Sequence, residues 1–180
     1  IGCAKGMFLL WAWSRFGLRR LLGIEPSPEM AEAARAAATA LDAPAEILAA
    51  PPGRLLGTIA AADLVLVLHC YHYLYLGSDI GIPGIPRHDF WFDFFASITK
   101  DTLVFANDLE LSEPQRQRFL ELGAPSAEIG GYRRDRILSS AGRHFELTFT
   151  TLGGGRPYVV MRRRRRRGQV ASAGGSGRAG

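Results

Sequence analysis

Strand and helix patterns alternate along nearly the whole chain, and this alternation limits the possible folds more than any other feature of the sequence. Short apolar runs typical of strands end at Glu25, His69 and Ala106. Segments with helical composition or helix caps lie between them. Because strands joined by helices pair in parallel through right-handed crossovers, we expect an α/β fold. The expected architecture has three layers, with a doubly wound, mostly parallel sheet between two layers of helices.

The predicted elements cover most of the chain up to residue 161. Residues 63–69 are apolar on both faces, which is typical of a central parallel strand covered by helices on each side. Residues 144–151 alternate between apolar and polar side chains, and glycines at 153–155 turn the chain into a returning strand, so the sheet is mixed. In chain order, the predicted strands are 20–25, 45–49, 63–69, 102–106, 144–151 and 158–161; the predicted helices are 7–16, 28–41, 54–62, 89–99 and 112–122; and residues 71–86 are expected to be irregular.

Length and composition restrict the class of protein. A chain of 180 residues with 47% hydrophobic and 22% charged residues suits one globular domain and excludes a disordered chain or a polytopic membrane protein. Two cysteines, Cys3 and Cys70, are too few for a disulfide scaffold, so a reduced, cytoplasmic compartment is expected. The apolar run Met7–Trp13 has only seven residues, which is too short for a transmembrane helix, so no membrane insertion is expected.

The positive charge is concentrated at one end of the chain. The formal net charge is +5, but residues 162–180 contain seven arginines and no acid, so residues 1–161 carry −2. We expect residues 1–161 to form the domain and residues 162–180 to form a basic, low-complexity, disordered tail. The run Arg162–Arg167 is a candidate nucleic-acid contact, although no aromatic side chain is interleaved with it. Ile1 has the pattern of a strand end, so the N-terminal part of the domain is expected to be missing.

Ligands of open α/β sheets bind beyond the carboxyl ends of the strands, where the first candidate is a loop of small residues. Residues 2–6 read Gly-Cys-Ala-Lys-Gly, with small residues at alternate positions, and a predicted helix follows. The dinucleotide-binding fingerprint would need glycine at position 7, which is Met7. The alternating spacing instead resembles the glycine loop of class I S-adenosylmethionine (SAM)-dependent methyltransferases. A turn that uses small residues only for packing is the alternative interpretation.

Glu25 ends the next predicted strand, 19 positions after Gly6. A carboxylate at this place can accept hydrogen bonds from both hydroxyls of a ribose. Because a carboxylate at the same position would also serve NAD, Glu25 indicates an adenosine cofactor without saying which one. The spacing of the glycine loop distinguishes SAM from NAD. The alternative is a solvated acid near the start of the helix that Ser27 is predicted to cap.

The resemblance to the methyltransferase family extends over residues 1–161 and includes the order of the elements. It implies a sheet order of 3-2-1-4-5-7-6 and SAM as the cofactor. By that resemblance the cofactor-binding residues would be Gly2, Cys3, Ala4, Lys5, Gly6, Glu25, Pro26, Ala50, Pro51 and His69. The segment after residues 63–69 would line the space between the SAM methyl group and the substrate. We take His72 as the first candidate for a general base, Asp108 as the second, and Tyr71 and Tyr73 as candidate acceptor-binding residues.

Two positions depart from the family pattern. In the family an aspartate that holds the adenine amine often follows the third strand, but the corresponding segment here has no side-chain acceptor. Ala50 and Pro51 would then hold adenine through backbone groups and apolar contacts. The acid that usually precedes the glycine loop would fall before Ile1.

Other chemistry has less support in the sequence. His69 and His72 are three positions apart but have no adjacent carboxylate, so no metal site is predicted. A nucleophilic Cys70 with His72 as its base is disfavoured because Cys70 directly follows a buried strand. The predicted function is methyl transfer from SAM to an unidentified acceptor, with a small molecule slightly favoured. The alternatives are an NAD-dependent oxidoreductase and a non-catalytic interaction module.

Overall fold

A computed structural model describes residues 1–151 and 157–164 as an α/β fold. The helices are α1 (Met7–Phe16), α2 (Pro28–Ala40), α3 (Tyr71–Leu76), α4 (His88–Ile98), α5 (Glu113–Glu121), α6 (Ser126–Gly131) and α7 (Arg134–Gly142). The strands are β1 (Leu21–Ile24), β2 (Ala45–Leu48), β3 (Ala62–Leu68), β4 (Thr99–Ala106), β5 (Phe145–Thr151) and β6 (Pro157–Arg163). A short 3-10 turn, Pro52–Leu55, follows β2.

The strands form two sheets. β1 and β2 pair in parallel, and the second sheet has the order β3-β4-β6-β5. Within it β3 and β4 are parallel, whereas β6 is antiparallel to both β4 and β5. These pairings confirm the expected mixed sheet with a closing hairpin. The expected order of strands is 3-2-1-4-5-7-6. When strand 1 of that order is left out, β1 to β6 correspond to its strands 2 to 7. With this correspondence, every observed pair of neighbouring strands agrees with the expected order.

Residues 1–3 connect the two sheets at the place where the expected order has its central strand. The Gly2 N–H donates to the carbonyl of Ile24, at the end of β1, over 2.8 Å. The Ile1 amino group donates to the carbonyl of Leu66, in β3, also over 2.8 Å. The start of the chain thus lies between β1 and β3 and holds the loop that follows it at the ends of both.

Local sequence accounts for several helix boundaries. The Ser27 hydroxyl accepts a hydrogen bond from the Met30 N–H (3.4 Å), and proline follows at the first helical position of α2. Gly17 ends α1 in the left-handed conformation, with φ 62°, which costs glycine little. Ser112 and Gln115 form a capping box at the start of α5. These boundaries agree with the predicted helices.

Two hydrophobic cores of unequal size hold the elements together. The larger core lies among α3, α4, α7 and the four-stranded sheet. Its fully buried aromatic residues include Tyr71, Phe92, Phe94, Phe95 and Phe105. The smaller core contains Ala31, Ala34 and Ile47, where α2 packs on the two-stranded sheet.

Two predictions of secondary structure are wrong, and two helices are missed. Residues 54–62 form no α-helix beyond the 3-10 turn, and Gly57 adopts φ 76°, which a right-handed helix does not allow. Residues 71–86 are not irregular throughout, because Tyr71–Leu76 forms α3 with its aromatic side chains in the larger core. The helices α6 and α7 are not predicted at all, since glycines at 130 and 131 and a largely polar composition hide the helical pattern.

β6 continues beyond Met161 through Arg163, so the arginine run begins inside the fold. Arg162 lies opposite Glu146, and the Arg164 N–H donates to the carbonyl of His144 (2.9 Å). The expected turn at 153–155 and the expected disordered tail from residue 165 onward lie outside the described residues. Within the described ranges, no helix is long and apolar enough to cross a membrane.

Candidate functional site

The loop of small residues, Gly2 to Gly6, runs from the ends of β1 and β3 to the start of α1. Gly2 and Gly6 have φ angles of 65° and 78°, and Ala4 between them has φ 46°. A Cβ on Gly2 would lie 3.0 Å from the Cβ of Cys70, just beyond the end of β3. Glycine is therefore required at position 2 by a close approach as well as by its backbone conformation.

Glu25 follows β1 directly and holds this loop in place. Its side chain is buried, with 8% exposure; Oε2 accepts a hydrogen bond from the Ala4 N–H (2.8 Å) and Oε1 accepts one from the Ser27 N–H (3.0 Å). One carboxylate thus joins the loop to the start of α2. Each oxygen has a second lone pair, so the carboxylate can still accept hydrogen bonds from a ligand. Sequence reasoning predicts a ligand contact here and misses the contact with the loop.

The start of α1 offers hydrogen-bond donors beside the loop. Its N-cap residue, Gly6, contributes no side-chain hydrogen bond, and the first turn contains no acid. Lys5, Met7 and Phe8 are exposed around this helix start. Free N–H groups and the positive end of the helix dipole attract an anion such as a carboxylate. The site therefore donates hydrogen bonds at α1 and accepts them at Glu25.

The ends of β1 and β2 lie side by side. Ile24 is opposite Leu48 in the parallel register, and the Glu25 N–H donates to the Leu48 carbonyl (3.0 Å). Pro26, Ala50 and Pro51, which follow from these adjacent ends, are half-buried. They form an apolar surface without a side-chain acceptor, next to the Glu25 carboxylate.

His69 directly follows β3 and has a backbone conformation that is unusual for a residue with a side chain. Its φ of 53° lies in the left-handed region, and its N–H donates to the Ala106 carbonyl over 2.8 Å. The imidazole is exposed at the same sheet edge as the glycine loop. Backbone strain of this kind is concentrated at functional sites, so the conformation of His69 agrees with a role for this edge in binding.

Asn107, which sequence reasoning misses, fixes the relative position of two strand ends. It follows β4 and is 6% exposed. Its Oδ1 accepts a hydrogen bond from the Tyr71 N–H (2.9 Å), and its Nδ2 donates to the Val67 carbonyl (2.7 Å). The side chain therefore joins β3, β4 and the start of α3. The sequence does contain a signal that could have identified Asn107: an amide side chain directly after an apolar strand, at the edge of the sheet where ligands bind.

His72 lies in α3 and is 8% exposed. Its ring centroid is 4.2 Å from that of Tyr73 and 5.8 Å from that of Phe119. Burial lowers the pKa of His72, and the negative charge of Asp108 acts in the opposite direction. Its Nδ1 is buried and has no hydrogen-bond partner among the described residues. A neutral imidazole with an unpaired nitrogen can accept a proton.

The two other side chains predicted for this part of the site are accessible. Asp108 is exposed after β4, where its carboxylate accepts a hydrogen bond from Nε2 of Gln115 (3.0 Å). Tyr73 is half-buried between His72 and Phe119. The structure thus brings His72, Tyr73 and Asp108 to one edge of the sheet.

Tyr71 is not placed as predicted. Its side chain is completely buried, and its hydroxyl lies 2.7 Å from Nδ1 of His88. The other ring nitrogen of His88 lies 3.1 Å from the Gly131 carbonyl. Because Tyr71 joins α3, α4 and α6 inside the larger core, it cannot contact an acceptor in this conformation.

The described part of the chain has no group of side chains suited to metal binding and no thiol suited to nucleophilic attack. No group of three or more His, Cys, Asp or Glu side chains lies close enough there to hold a metal ion. Burial raises the pKa of Cys70 to about 11, so its thiol is protonated at neutral pH and is a poor nucleophile.

An open cavity of about 450 Å³ lies away from the strand ends, at the starts of α4 and α7. Its lining includes Arg87, Asp89, Asp135 and Arg136. Arg87 pairs with Asp89 over 2.8 Å, which neutralises much of the charge there. Neither Glu25 nor the glycine loop contributes to this cavity.

Several solved structures have the same fold. The PH0226 protein from Pyrococcus horikoshii OT3 is similar with a TM-score of 0.58 and 15% identity, over 91% of this chain and 80% of that one. The magnesium protoporphyrin IX methyltransferase from Synechocystis PCC 6803, solved with bound SAH, gives 0.60 and 13%, over 91% and 71%. The plantazolicin methyltransferase BpumL, solved in complex with SAH, gives 0.54 and 13%, over 91% and 74%.

Sequence comparison agrees with the structural likeness. The family described as the methyltransferase domain matches residues 1–80, which contain the glycine loop, Glu25 and the segment after β3. No curated protein sequence matches the chain significantly. Residues 1–80 of the chain therefore match the methyltransferase domain family, and the chain as a whole shares its α/β fold with solved methyltransferases.

Proposed function

We propose that the chain binds SAM at the ends of β1, β2 and β3 and transfers its methyl group to a small-molecule acceptor. The observation that carries this proposal is the hydrogen bond between the Ala4 N–H and the Glu25 carboxylate (2.8 Å), which fixes the glycine loop beside an acceptor of ribose hydroxyls. The match of residues 1–80 to methyltransferase domains supports the same cofactor.

The residues present fit SAM on chemical grounds. Glu25 retains lone pairs for two ribose hydroxyls, and the uncapped start of α1 suits the carboxylate of the methionine part. Pro26, Ala50 and Pro51 offer apolar contact for adenine. When bound, SAM supplies a methyl group on a sulfonium, which an in-line attack by the acceptor removes.

The chain's own contribution to the reaction is to position the reactants, exclude water and accept a proton where the acceptor carries one. His72 is the first candidate for the base, because burial lowers its pKa and keeps the imidazole neutral at pH 7. Asp108 is the second, since it is exposed at the same edge. Tyr73 is the remaining candidate for contact with the acceptor.

A small acceptor is favoured over a nucleic acid by the position of the arginine run. Arg162 lies opposite Thr102 and pairs with Asp101, near the amino end of β4. The candidate site lies beyond the other end of that strand, after Ala106. A nucleic acid held by the arginines at 162–164 would therefore bind at the opposite edge of the sheet.

Calorimetric titration with SAM and with NAD tests the cofactor. We expect a complex with SAM and none with NAD; the reverse result would favour an oxidoreductase, and binding of neither would favour a non-catalytic interaction module. Incubation with methyl-labelled SAM and separate fractions of small molecules and RNA then tests the acceptor. Label transferred only to RNA would contradict the small-molecule proposal.

A further inference from the structure

The cavity at the starts of α4 and α7 is lined by polar groups for which the described chain supplies no partner. We call it the α4–α7 cavity; its volume of about 450 Å³ lies within the range of about 300–1,000 Å³ that is usual for small-molecule sites. Arg136, Ser139 and Ser140 line it and lie three and four positions apart on α7, so they share one face of that helix. None of these three side chains has a hydrogen bond or an ion pair with a described residue.

The Tyr75 hydroxyl is a fourth unpaired group, and it belongs to a buried side chain. Tyr75 is 4% exposed, lines the α4–α7 cavity and stacks on His88 with 4.3 Å between the ring centroids. Its hydroxyl has no hydrogen-bond partner among the described residues, and its oxygen is not one of the unpaired atoms that are sealed in the core. Because a buried tyrosine hydroxyl usually has a partner, this one indicates a partner from outside the chain.

Gly131, at the end of α6, is the point on which the Tyr75 hydroxyl and the Arg136 guanidinium converge. A Cβ on Gly131 would lie 2.7 Å from the hydroxyl oxygen of Tyr75 and 3.7 Å from Nη1 of Arg136. The two groups are therefore close enough for one small ligand to contact both. Burial raises the pKa of Tyr75, while Arg136 lowers it and Glu128 raises it by smaller amounts. The hydroxyl thus keeps its proton at neutral pH and can donate.

The charges around the cavity favour an anion. Asp89 pairs with Arg87 over 2.8 Å, and Asp135 pairs with Arg133 over 3.0 Å, so both carboxylates of the lining are already neutralised. Arg136 has no such carboxylate among the described residues. A guanidinium has five donors in a planar arrangement that matches the oxygens of a carboxylate or a phosphate. The cavity therefore combines one uncompensated positive charge with neutral hydroxyl donors.

We propose that the α4–α7 cavity binds a small molecule through an oxyanion, a carboxylate or a phosphate, which the Arg136 guanidinium and the Tyr75 hydroxyl hold together. Ser139 and Ser140 provide further donors for the same group. Pro86, half-buried in the lining, offers apolar contact to the rest of the ligand. Since neither Glu25 nor the glycine loop contributes to the cavity, this site is separate from the one proposed for SAM.

The test uses the chain without cofactor and three small probes: phenyl phosphate, benzoate and benzyl alcohol, which has a similar ring and no charge. Amide chemical shifts of the isotope-labelled chain are followed during each titration at physiological ionic strength, where weak attraction between exposed charges is largely screened. We expect saturable shifts at Ser139 and Ser140 with an anionic probe at millimolar concentration and none with benzyl alcohol. Saturation by only one of the two anions would identify the oxyanion that the cavity takes.

Matched variants test which groups hold the anion. Arg136→Ala should weaken binding by about tenfold or more, because a hydrogen bond between charged groups is lost. Arg134→Ala removes the same charge from the same helix, but its guanidinium lies over the Phe149 ring at 5.6 Å, so the affinity should stay unchanged. Tyr75→Phe keeps the ring on His88 and removes only the hydroxyl; it should weaken binding by about tenfold. Thermal melts check that each variant is folded.

Three results would overturn the proposal. One is the absence of saturable shifts with both anions, and another is an equal response to benzyl alcohol. The third is an equal loss of affinity in Arg134→Ala and Arg136→Ala, which would mean that the anion responds only to the general charge of α7. None of these measurements requires SAM binding, so failure of the proposed methyl transfer would leave the result readable.

Discussion

At the scale of single residues, Glu25 serves both the loop and the proposed ligand. Glu25→Ala leaves the N–H groups of Ala4 and Ser27 without their acceptor, and an unpaired buried donor costs about 1–3 kcal/mol. The ribose would lose its acceptor as well. We expect Tm to fall and SAM binding to weaken by roughly 10²-fold, since each ~1.4 kcal/mol is a factor of ten. Titration calorimetry and thermal melts measure the two effects.

Two further variants separate these contributions. Glu25→Gln keeps one acceptor and loses the charge, so its affinity should lie between those of Glu25→Ala and the parent chain. Glu29→Ala removes an exposed acid from the first turn of α2 and should leave SAM affinity unchanged. Unchanged SAM affinity in a folded Glu25→Ala would contradict the assignment of the ribose to this carboxylate.

His72 has a different expected profile. If it accepts the proton, His72→Ala should lower kcat by ~10²–10⁴ with nearly unchanged SAM affinity. Because burial lowers the pKa of His72, the acid limb of kcat should lie below pH 6.5 and vanish in His72→Ala. A parallel loss of Tm and SAM affinity would instead mean that the imidazole is structural.

The same direction of shift predicts how His72 affects stability. Its pKa is lower in the folded chain than in the unfolded one, so the unfolded chain binds the proton more readily. This contribution to the free energy of unfolding is present above pH 6.5 and is lost as the pH falls through the interval between the unfolded and the folded pKa.

At the scale of secondary-structure elements, Asn107 is the connection with the largest expected effect. Asn107→Ala removes hydrogen bonds to the Tyr71 N–H and the Val67 carbonyl, so we expect the free energy of unfolding to fall by about 2–4 kcal/mol. Asn107→Asp keeps the acceptor for Tyr71 but presents an oxygen to the Val67 carbonyl, and should recover only part of that loss. Denaturant titration of both variants checks this expected order of the free energies of unfolding. Equal stability of Asn107→Ala and the parent chain would contradict the prediction.

The start of the arginine run contributes to the β5–β6 hairpin. A chain that ends at Met161 loses the pairs of Arg162 with Glu146 and of Arg163 with Phe145, as well as the bond from Arg164 to His144. Relative to a chain that ends at Arg164, we expect a loss of about 1–2 kcal/mol. For a domain of this size that corresponds to roughly 2–8 °C in Tm. Equal melting temperatures of the two truncations would show that β6 is stable without these residues.

The sequence predicts elements well where a local signal marks both ends. Ser27 and Gly17 bound their helices as expected, because caps act through neighbouring backbone groups. The helix expected over 54–62 fails because Gly57 sits inside it, and α3 is missed because tertiary packing rather than local pattern makes it helical. Propensity is a weak prior that such contacts override.

At the scale of the whole molecule, topology is more predictable than side-chain placement. The resemblance to the methyltransferase family implies a sheet order, and every observed pair of neighbouring strands agrees with it. The side-chain placements of Tyr71 and Asn107 could not be predicted in this way. A side chain that follows a strand can point into the core or towards a ligand. Which of the two it does depends on partners distant in sequence, such as His88 for Tyr71. Glu25 lies between these cases: its position is predictable, its bond to Ala4 is not.

The unequal sizes of the two cores have a consequence for motion. α1, α2, β1 and β2 carry most of the proposed cofactor contacts and rest on the small core of Ala31, Ala34 and Ile47, whereas β3 to β6 enclose the large aromatic core. Segments with few buried contacts open at lower free energy, so amides of α2 and β2 should exchange with solvent faster than those of β3 and β4. Ligand binding should slow exchange in the first group and leave the second unchanged. Recognition of the cofactor would then consist largely of closing the part of the protein that opens most readily.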